Sequence, residues 1–153
     1  MRLILQCVRH ASVHVEGECI GKIGRGLLVF IGVGREDTKE VTEKMFQKTE
    51  KLRIFSDEEG KTNLSVRDID GEMLIISQFT LYADCRKGNR PSFINAGSGD
   101  QAEALYEYFI KLAEKQFMPK KIKHGQFGAH MEVELLNDGP FTIVLDSEEI
   151  LKK

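Results

Sequence analysis

Apolar and polar positions change period several times along this chain, and each change marks an element. Residues 2–8 read as a strand, and Ser12-Val13-His14-Val15-Glu16 alternates with period two. Gly17-Glu18 offers a turn into Cys19-Ile20-Gly21-Lys22-Ile23, which predicts a hairpin. Gly26 to Val33 is a continuous apolar run, the pattern of a strand buried on both faces. Helical spacing follows over 38–51, with Val41, Met45, Phe46 and Leu52 in register and Asp37-x-x-Glu40 arranged as a capping box. Residues 52–55 and 73–79 read as strands joined by a polar segment rich in Asp, Glu, Gly and Asn. A second helix is predicted from about Asp100 to Phe117, capped by Asp100-x-x-Glu103, with Leu105, Phe109 and Leu112 as its apolar face and Pro119 as its stop. Met131 to Leu135 alternates as a half-exposed strand, and Phe141 to Leu145 closes the chain's apolar pattern.

Many strands, two helices and hairpin-like connections predict a single α+β domain over 1–153, with a mostly antiparallel sheet and two main helices packed outside it. The pattern alone does not choose between an open sheet and one curled into a β-barrel. At 153 residues, 41% apolar and 30% charged, the chain has the composition of an ordinary globular domain with a real core. A net charge of −2 gives no basic excess of the kind nucleic-acid binders often show. Local basic stretches remain: Arg86, Lys87 and Arg90 in one, and Lys115, Lys120, Lys121 and Lys123 in another. Taken alone, each reads as solvated surface. The longest apolar stretch, Leu27 to Val33, is far short of the ~18 residues of a membrane span, and the N-terminal run is too short for a signal peptide. Three widely spaced cysteines, Cys7, Cys19 and Cys85, fit reduced thiols in a cytoplasm better than a disulfide framework.

Several chemistries are disfavoured by spacing. Gly32-Val33-Gly34 precedes a helix, but the third glycine of a dinucleotide loop falls on Asp37, whose charge repels a pyrophosphate. His10 and His14 lie on a strand, about 13 Å apart, and His124 and His130 are isolated, so no metal or other cofactor is expected. Cys85 has no neighbouring base in sequence and reads as an inert thiol. No G-x-S-x-G elbow is present.

Two segments break local rules. Ser77-Gln78-Phe79-Thr80-Leu81 puts polar side chains directly after Met73-Leu74-Ile75-Ile76, where a buried strand normally stays apolar. Asn137-Asp138-Gly139-Pro140-Phe141-Thr142 puts Gly-Pro at the start of a strand, where a donor is missing. Taken locally, the first reads as a strand end bonding to nearby backbone and the second as a turn into an edge strand with a trans peptide. Together they resemble the two signature motifs of the D-aminoacyl-tRNA deacylases. The similarity extends to Gln6 through Val13, Gly24 through Val29, Arg53-Ile54-Phe55, Lys87 through Phe93 and Phe127-Gly128-Ala129-His130-Met131. Phe141 stands where that family usually has Val.

The resemblance implies a barrel fold and a homodimer that hydrolyses the ester between a D-amino acid and the 3′-terminal ribose of tRNA, as chiral proofreading in translation, and glycyl-tRNA to some degree. It implies a cis Gly139-Pro140 peptide inserted into the partner subunit's pocket, where its carbonyls face the substrate's α-carbon. A proline-locked dipeptide is a rigid gauge: an L side chain is driven into it, and a D side chain points away. Phe127, Ala129 and Met131 join Gly139 and Pro140 as implied substrate-binding residues, with Ser77, Gln78, Phe79 and Thr80 as the catalytic set. Thr80 has no evident general base, and an unactivated hydroxyl is a weak nucleophile. Assistance from the ribose 2′-hydroxyl, or an activated water, is favoured, with Ser77, Gln78 and Thr80 orienting the substrate and amides near Phe79 holding the oxyanion.

One position departs from the family pattern. Cys7 stands where Arg is usual, and Arg9, two residues on and expected on the same strand face, is the candidate to replace it. Two rivals remain open from sequence: a non-catalytic RNA- or DNA-associated module with the same fold, since homologues are linked to replication-origin chromatin, and a small-molecule D-amino-acid esterase.

Overall fold

The computed structural model describes residues 1–152. Its elements are β1 (Arg2–Val15), β2 (Glu18–Ile23), β3 (Gly26–Gly32), α1 (Lys39–Lys51), β4 (Phe55–Ser56), β5 (Thr62–Leu64), β6 (Glu72–Ser77), α2 (Gly99–Gln116), β7 (Ile122–His124), β8 (Glu132–Asp146) and α3 (Ser147–Ile150). Long β1 organises the sheet. Its first half pairs antiparallel with β3, its second half with β2, and β8 runs along its other side. Two strand pairs are parallel, β3 with β6 and β6 with β7, and each is joined by a connection containing a helix, as parallel neighbours require. At Gly21 of β2 an added Cβ would lie 3.2 Å from the His124 carbonyl of β7. The bare glycine lets those strands approach, and the mixed sheet forms a nearly closed barrel.

The continuous apolar runs are explained by two cores. Leu27, Val29, Ile31, Met73 and Ile75 face the helices, meeting Met45 and Phe46 of α1 and Leu105 and Phe109 of α2. The alternate residues Leu28, Leu74 and Ile76 face the barrel interior with Val8, Ala11, Val13 and Ile23. A strand covered on both faces has no position to spare for a polar residue. Phe46 and Phe109 meet edge to face, with centroids 5.3 Å apart, and join the two helices.

The expected elements form, with shifted ends. Residues 2–8 and 12–15 belong to one strand, as do 132–135 and 141–145, with Glu16 and Met131 just outside them. The hairpin turn falls on Glu16-Gly17, both at positive φ (50° and 80°), one residue earlier than expected. Residues 52–54 are not strand; only Phe55–Ser56 pairs, with β5. β6 stops at Ser77 instead of running to 79. Neither expected cap holds. Thr38 caps α1 by accepting from the Val41 amide at 3.2 Å, because Asp37 is drawn to the Gly34 amide and the Met1 ammonium. Ser98 caps α2, accepting from Gln101 at 3.3 Å, and Asp100 sits in the first turn instead. Among the described residues no helix is long and apolar enough to cross a membrane.

Candidate active site

β6 carries its apolar run to the barrel's end, where Gln78 donates its amide to the Ile31 carbonyl at 2.8 Å and the chain turns into a short 3-10 turn, Phe79–Tyr82. Buried Tyr82 seats this turn. Gly32 and Gly34 make room for it: Cβ atoms there would lie 2.8 Å from Leu81 and 2.7 Å from the Tyr82 ring. Arg2 clamps it from outside, donating to the Leu81 carbonyl at 3.0 Å with its guanidinium 4.6 Å from the Tyr82 ring centroid. The first amides of a helical turn have no partner inside it, and here those belong to Phe79 and Thr80.

A cavity of about 460 Å³ opens beside the turn. Ile76, Ser77, Gln78 and Phe79 form one wall, Phe127 to Met131 and Val133 another, and Ala96, Gly97, Gly99 and Ala102 a third. The Phe127–Met131 wall is shaped by a turn in which the Ala129 amide donates to Gln126 at 3.2 Å with Gly128 at φ 77°. Phe127 is backed by the Tyr106 ring, centroids 6.0 Å apart, and the Tyr106 hydroxyl donates to the Ile75 carbonyl at 2.8 Å. Burial pushes the Tyr106 pKa up, so the hydroxyl stays a neutral donor. The cavity therefore gathers six of the predicted residues: Ser77, Gln78, Phe79, Phe127, Ala129 and Met131. Thr80 is not in its lining but is tied to it, since the Gln78 side-chain amide donates to the Thr80 hydroxyl. An amide N–H cannot take the threonine's proton, so this contact orients Thr80 without activating it as a nucleophile. Sequence reasoning missed the small-residue wall and His130, which is the cavity's one titratable lining side chain. The Ala96-Gly97-Ser98-Gly99 run before α2 was the available signal.

Gly139 and Pro140 lie elsewhere in the chain, exposed on an outward loop of β8. Gln6 pairs with Thr142 and Val8 with Asn137, so Cys7 alone stands opposite residues 138–141. The loop base is pinned by its own signature: the Phe141 amide donates to the Asn137 side chain at 3.1 Å, and Asn137 and Gln6 both donate to the Thr142 hydroxyl, at 3.0 and 3.2 Å. The Gly139-Pro140 peptide is cis, and Gly139 has φ 133°, where a Cβ would meet the Phe141 nitrogen at 3.0 Å.

The face expected for Arg9 is corrected. Cys7 is buried and Arg9 is 69% exposed, because the pairing slips between Val8 and Ala11 and inverts the alternation. Arg9 nevertheless reaches the loop, with Nε 3.5 Å from the Asp138 carboxylate. The Cys7 thiol donates to the Ile54 carbonyl at 3.5 Å, and burial pushes its pKa up to about 11.

Comparison with known proteins identifies the family. The family model described as D-Tyr-tRNA(Tyr) deacylase matches residues 4–146. A D-aminoacyl-tRNA deacylase of Thermotoga petrophila is 53% identical, with 98% of this chain and 99% of that protein covered. One of Chloroherpeton thalassium is 54% identical, with 96% of each covered. Among solved structures, a c-Myc DNA unwinding element binding protein superposes with TM-score 0.91 at 46% identity, over 95% of this chain and 98% of that one. A probable eukaryotic D-amino acid tRNA deacylase shares the fold at TM-score 0.81 and 19% identity, over 94% of this chain and 97% of that one. A family match over residues 4–146, with relatives more than 50% identical along nearly the whole chain, settles its kinship: this chain belongs to the D-Tyr-tRNA(Tyr) deacylase family.

Proposed function

We propose that this chain hydrolyses the ester between a D-amino acid and the 3′-terminal ribose of tRNA, releasing both, and so acts as a chirality proofreader in translation. The observation that carries this is the convergence of Ser77-Gln78-Phe79 and Phe127–Met131 on one cavity of about 460 Å³, a volume suited to a small ligand rather than a macromolecular surface. The aminoacyl-adenosine end enters the cavity. Phe127, Ala129 and Met131 line its far wall, and Ser77, Gln78 and Thr80 orient the ester.

The attacking oxygen comes from water, positioned by the neighbouring ribose 2′-hydroxyl. It adds to the carbonyl carbon, the bond to the ribose 3′-oxygen breaks, and the proton lost by water ends on that oxygen. The Phe79 and Thr80 amides, free of partners within their turn, receive the negative charge that develops on the carbonyl oxygen. Such donors act without a base on the protein, which fits the contact that leaves Thr80 unactivated.

Selectivity is assigned to Gly139-Pro140. Both residues are exposed and stand away from this chain's own cavity lining, which supports their acting in the cavity of a second copy within a homodimer. There they block an L side chain and leave space for many D side chains; glycine, with no side chain, passes in part. The cytoplasm, where charged tRNA is used, is the assigned location, and three free cysteines fit a reducing compartment.

The similar c-Myc DNA unwinding element binding protein favours a second reading, a binding module. The cavity beside the first signature, together with the retained Gly139-Pro140 of the second, argues for the esterase, since a pure binder needs neither. Release of D-tyrosine from D-tyrosyl-tRNA at catalytic enzyme concentration tests the proposal; absence of release overturns it. Equal cleavage of a D-tyrosine alkyl ester would move the assignment to a small-molecule esterase.

A further inference from the structure

We infer that the loop Asp84–Ser92 is the docking site for the phosphate backbone of the RNA substrate, and that Lys87 and Arg90 hold it, so the polynucleotide leaves the cavity over this loop. This rests on the proposed function and adds the direction and the residues of tRNA engagement.

Charge around the cavity sets the direction. The Phe127–His130 wall is shared with two neighbouring hollows. One carries Glu103 and Glu107, the other Glu16 and Glu132, all exposed. A strand of phosphates is repelled along both. On the Phe79 side, the loop Asp84–Ser92 follows the Phe79–Tyr82 turn and leads into Phe93. Within Asp84–Ser92 the charges are Asp84 against Arg86, Lys87 and Arg90, a net +2 on a chain whose total is −2.

The loop is built to present those cations. Asp84 and Ser92 exchange backbone hydrogen bonds of 2.7 and 2.9 Å, closing its base. Arg86 is held bidentate by the Asp84 carboxylate at 2.8 and 2.6 Å, so Asp84 is spent on Arg86. Among the described residues Lys87 and Arg90 form no ion pair, and both are exposed. Gly88 shapes the tip at φ 64°, with open space around it. Continuity with the cavity runs through aromatic rings: Phe93, just past the loop, meets the cavity-lining Phe79 edge on, centroids 4.9 Å apart. An RNA 3′ end seated at Phe79 therefore has a basic loop next to it along the chain, joined to the cavity through Phe93.

The test compares the parent with Lys87→Gln/Arg90→Gln on two substrates, D-tyrosyl-tRNA and 3′-O-(D-tyrosyl)adenosine, which has no phosphates. The expected result is a KM for the tRNA raised about fivefold to tenfold with kcat kept, and a slope of log(kcat/KM) against log salt shallower by about 1–2, as for two lost phosphate contacts. The adenosine ester should show no such rise. A charge-matched control, Lys48→Gln/Lys111→Gln on α1 and α2, should behave as the parent on tRNA. Unchanged tRNA KM and salt slope would overturn the inference. So would an equal loss on the adenosine ester, which would mean that the loop shapes the cavity, or an equal loss in the control, which would mean that only net charge matters. A parent protein that cleaves neither ester overturns the function itself, and the docking site with it.

Discussion

Gln78 donates its side-chain amide to the hydroxyl of Thr80. That single contact orients Thr80, the candidate nucleophile of the Phe79–Tyr82 turn, and supplies it with a donor, not a base. Thr80→Ala should therefore retain turnover, reduced by about tenfold to a hundredfold as an orienting group is lost, whereas a true nucleophile would take activity to background. Single-turnover deacylation of D-tyrosyl-tRNA measures this. Complete loss with tRNA binding intact would make Thr80 the nucleophile.

Gly139 has a backbone conformation that L side chains rarely adopt, and an added Cβ there would lie 3.0 Å from the Phe141 nitrogen. Gly139→Ala should strain the loop by about 1–3 kcal/mol. Since the loop is proposed to select chirality, not to cleave, L-tyrosyl-tRNA hydrolysis should rise relative to D while the D rate falls less. Parallel rates on both substrates, with thermal unfolding to confirm folding, check it. An unchanged D/L ratio contradicts the assignment.

Arg9 and Asp138 are both well exposed, and their 3.5 Å pair is worth at most about 1 kcal/mol to the fold. Arg9→Ala should leave the unfolding midpoint nearly unchanged and lower D/L discrimination by a few fold, more at low salt than at high. Unaltered discrimination rejects Arg9 as the substitute for the missing arginine at Cys7.

The buried Cys7 thiol, pushed up to about 11, is neutral throughout the physiological range. Alkylation of the native protein should modify exposed Cys19 and Cys85 and spare Cys7 until denaturant is added. The sign for stability follows: the fold favours the neutral thiol, so Cys7's contribution is complete below the ordinary thiol value of 9.0 and is lost as pH rises from there toward 11. Mass spectrometry of the labelled chain reads the first effect, and unfolding curves of the parent against pH, compared with Cys7→Ala, read the second.

Phe109 is fully buried and meets Phe46 at 5.3 Å, so Phe109→Ala should cost about 3–5 kcal/mol and lower the melting temperature by several degrees or more. Differential scanning calorimetry checks it.

Much of this fold was legible in sequence because burial writes itself into periodicity. Leu27 to Val33 is apolar throughout since Leu27, Val29 and Ile31 face the helices while Leu28 faces the barrel interior. Parallel pairing of β3 with β6 left no such mark, because which strands become neighbours across a helical connection is a tertiary matter. The α1 cap was misplaced for a physical reason: Asp37 has a competing partner in the Met1 ammonium, which lies far away in the pattern but close in space. The face of Arg9 was misjudged because a register slip after Val8 inverts the alternation that strand logic assumes. At the site, the first signature pointed to Ser77–Phe79 and the wider resemblance to Phe127–Met131, and the cavity joins them, while the second signature, Asn137–Thr142, stands outside this chain's own cavity. Its third wall, Ala96, Gly97, Gly99 and Ala102, is made of side chains too small to advertise a role; their function is to leave volume.

The measurement that bears most directly on the central claim is the hydrolysis of matched D- and L-tyrosyl-tRNA by the same enzyme at catalytic concentration. Rapid release of D-tyrosine with the L ester spared is the predicted result. Release of neither would contradict the esterase, and release of both at similar rates would contradict the selection assigned to Gly139-Pro140.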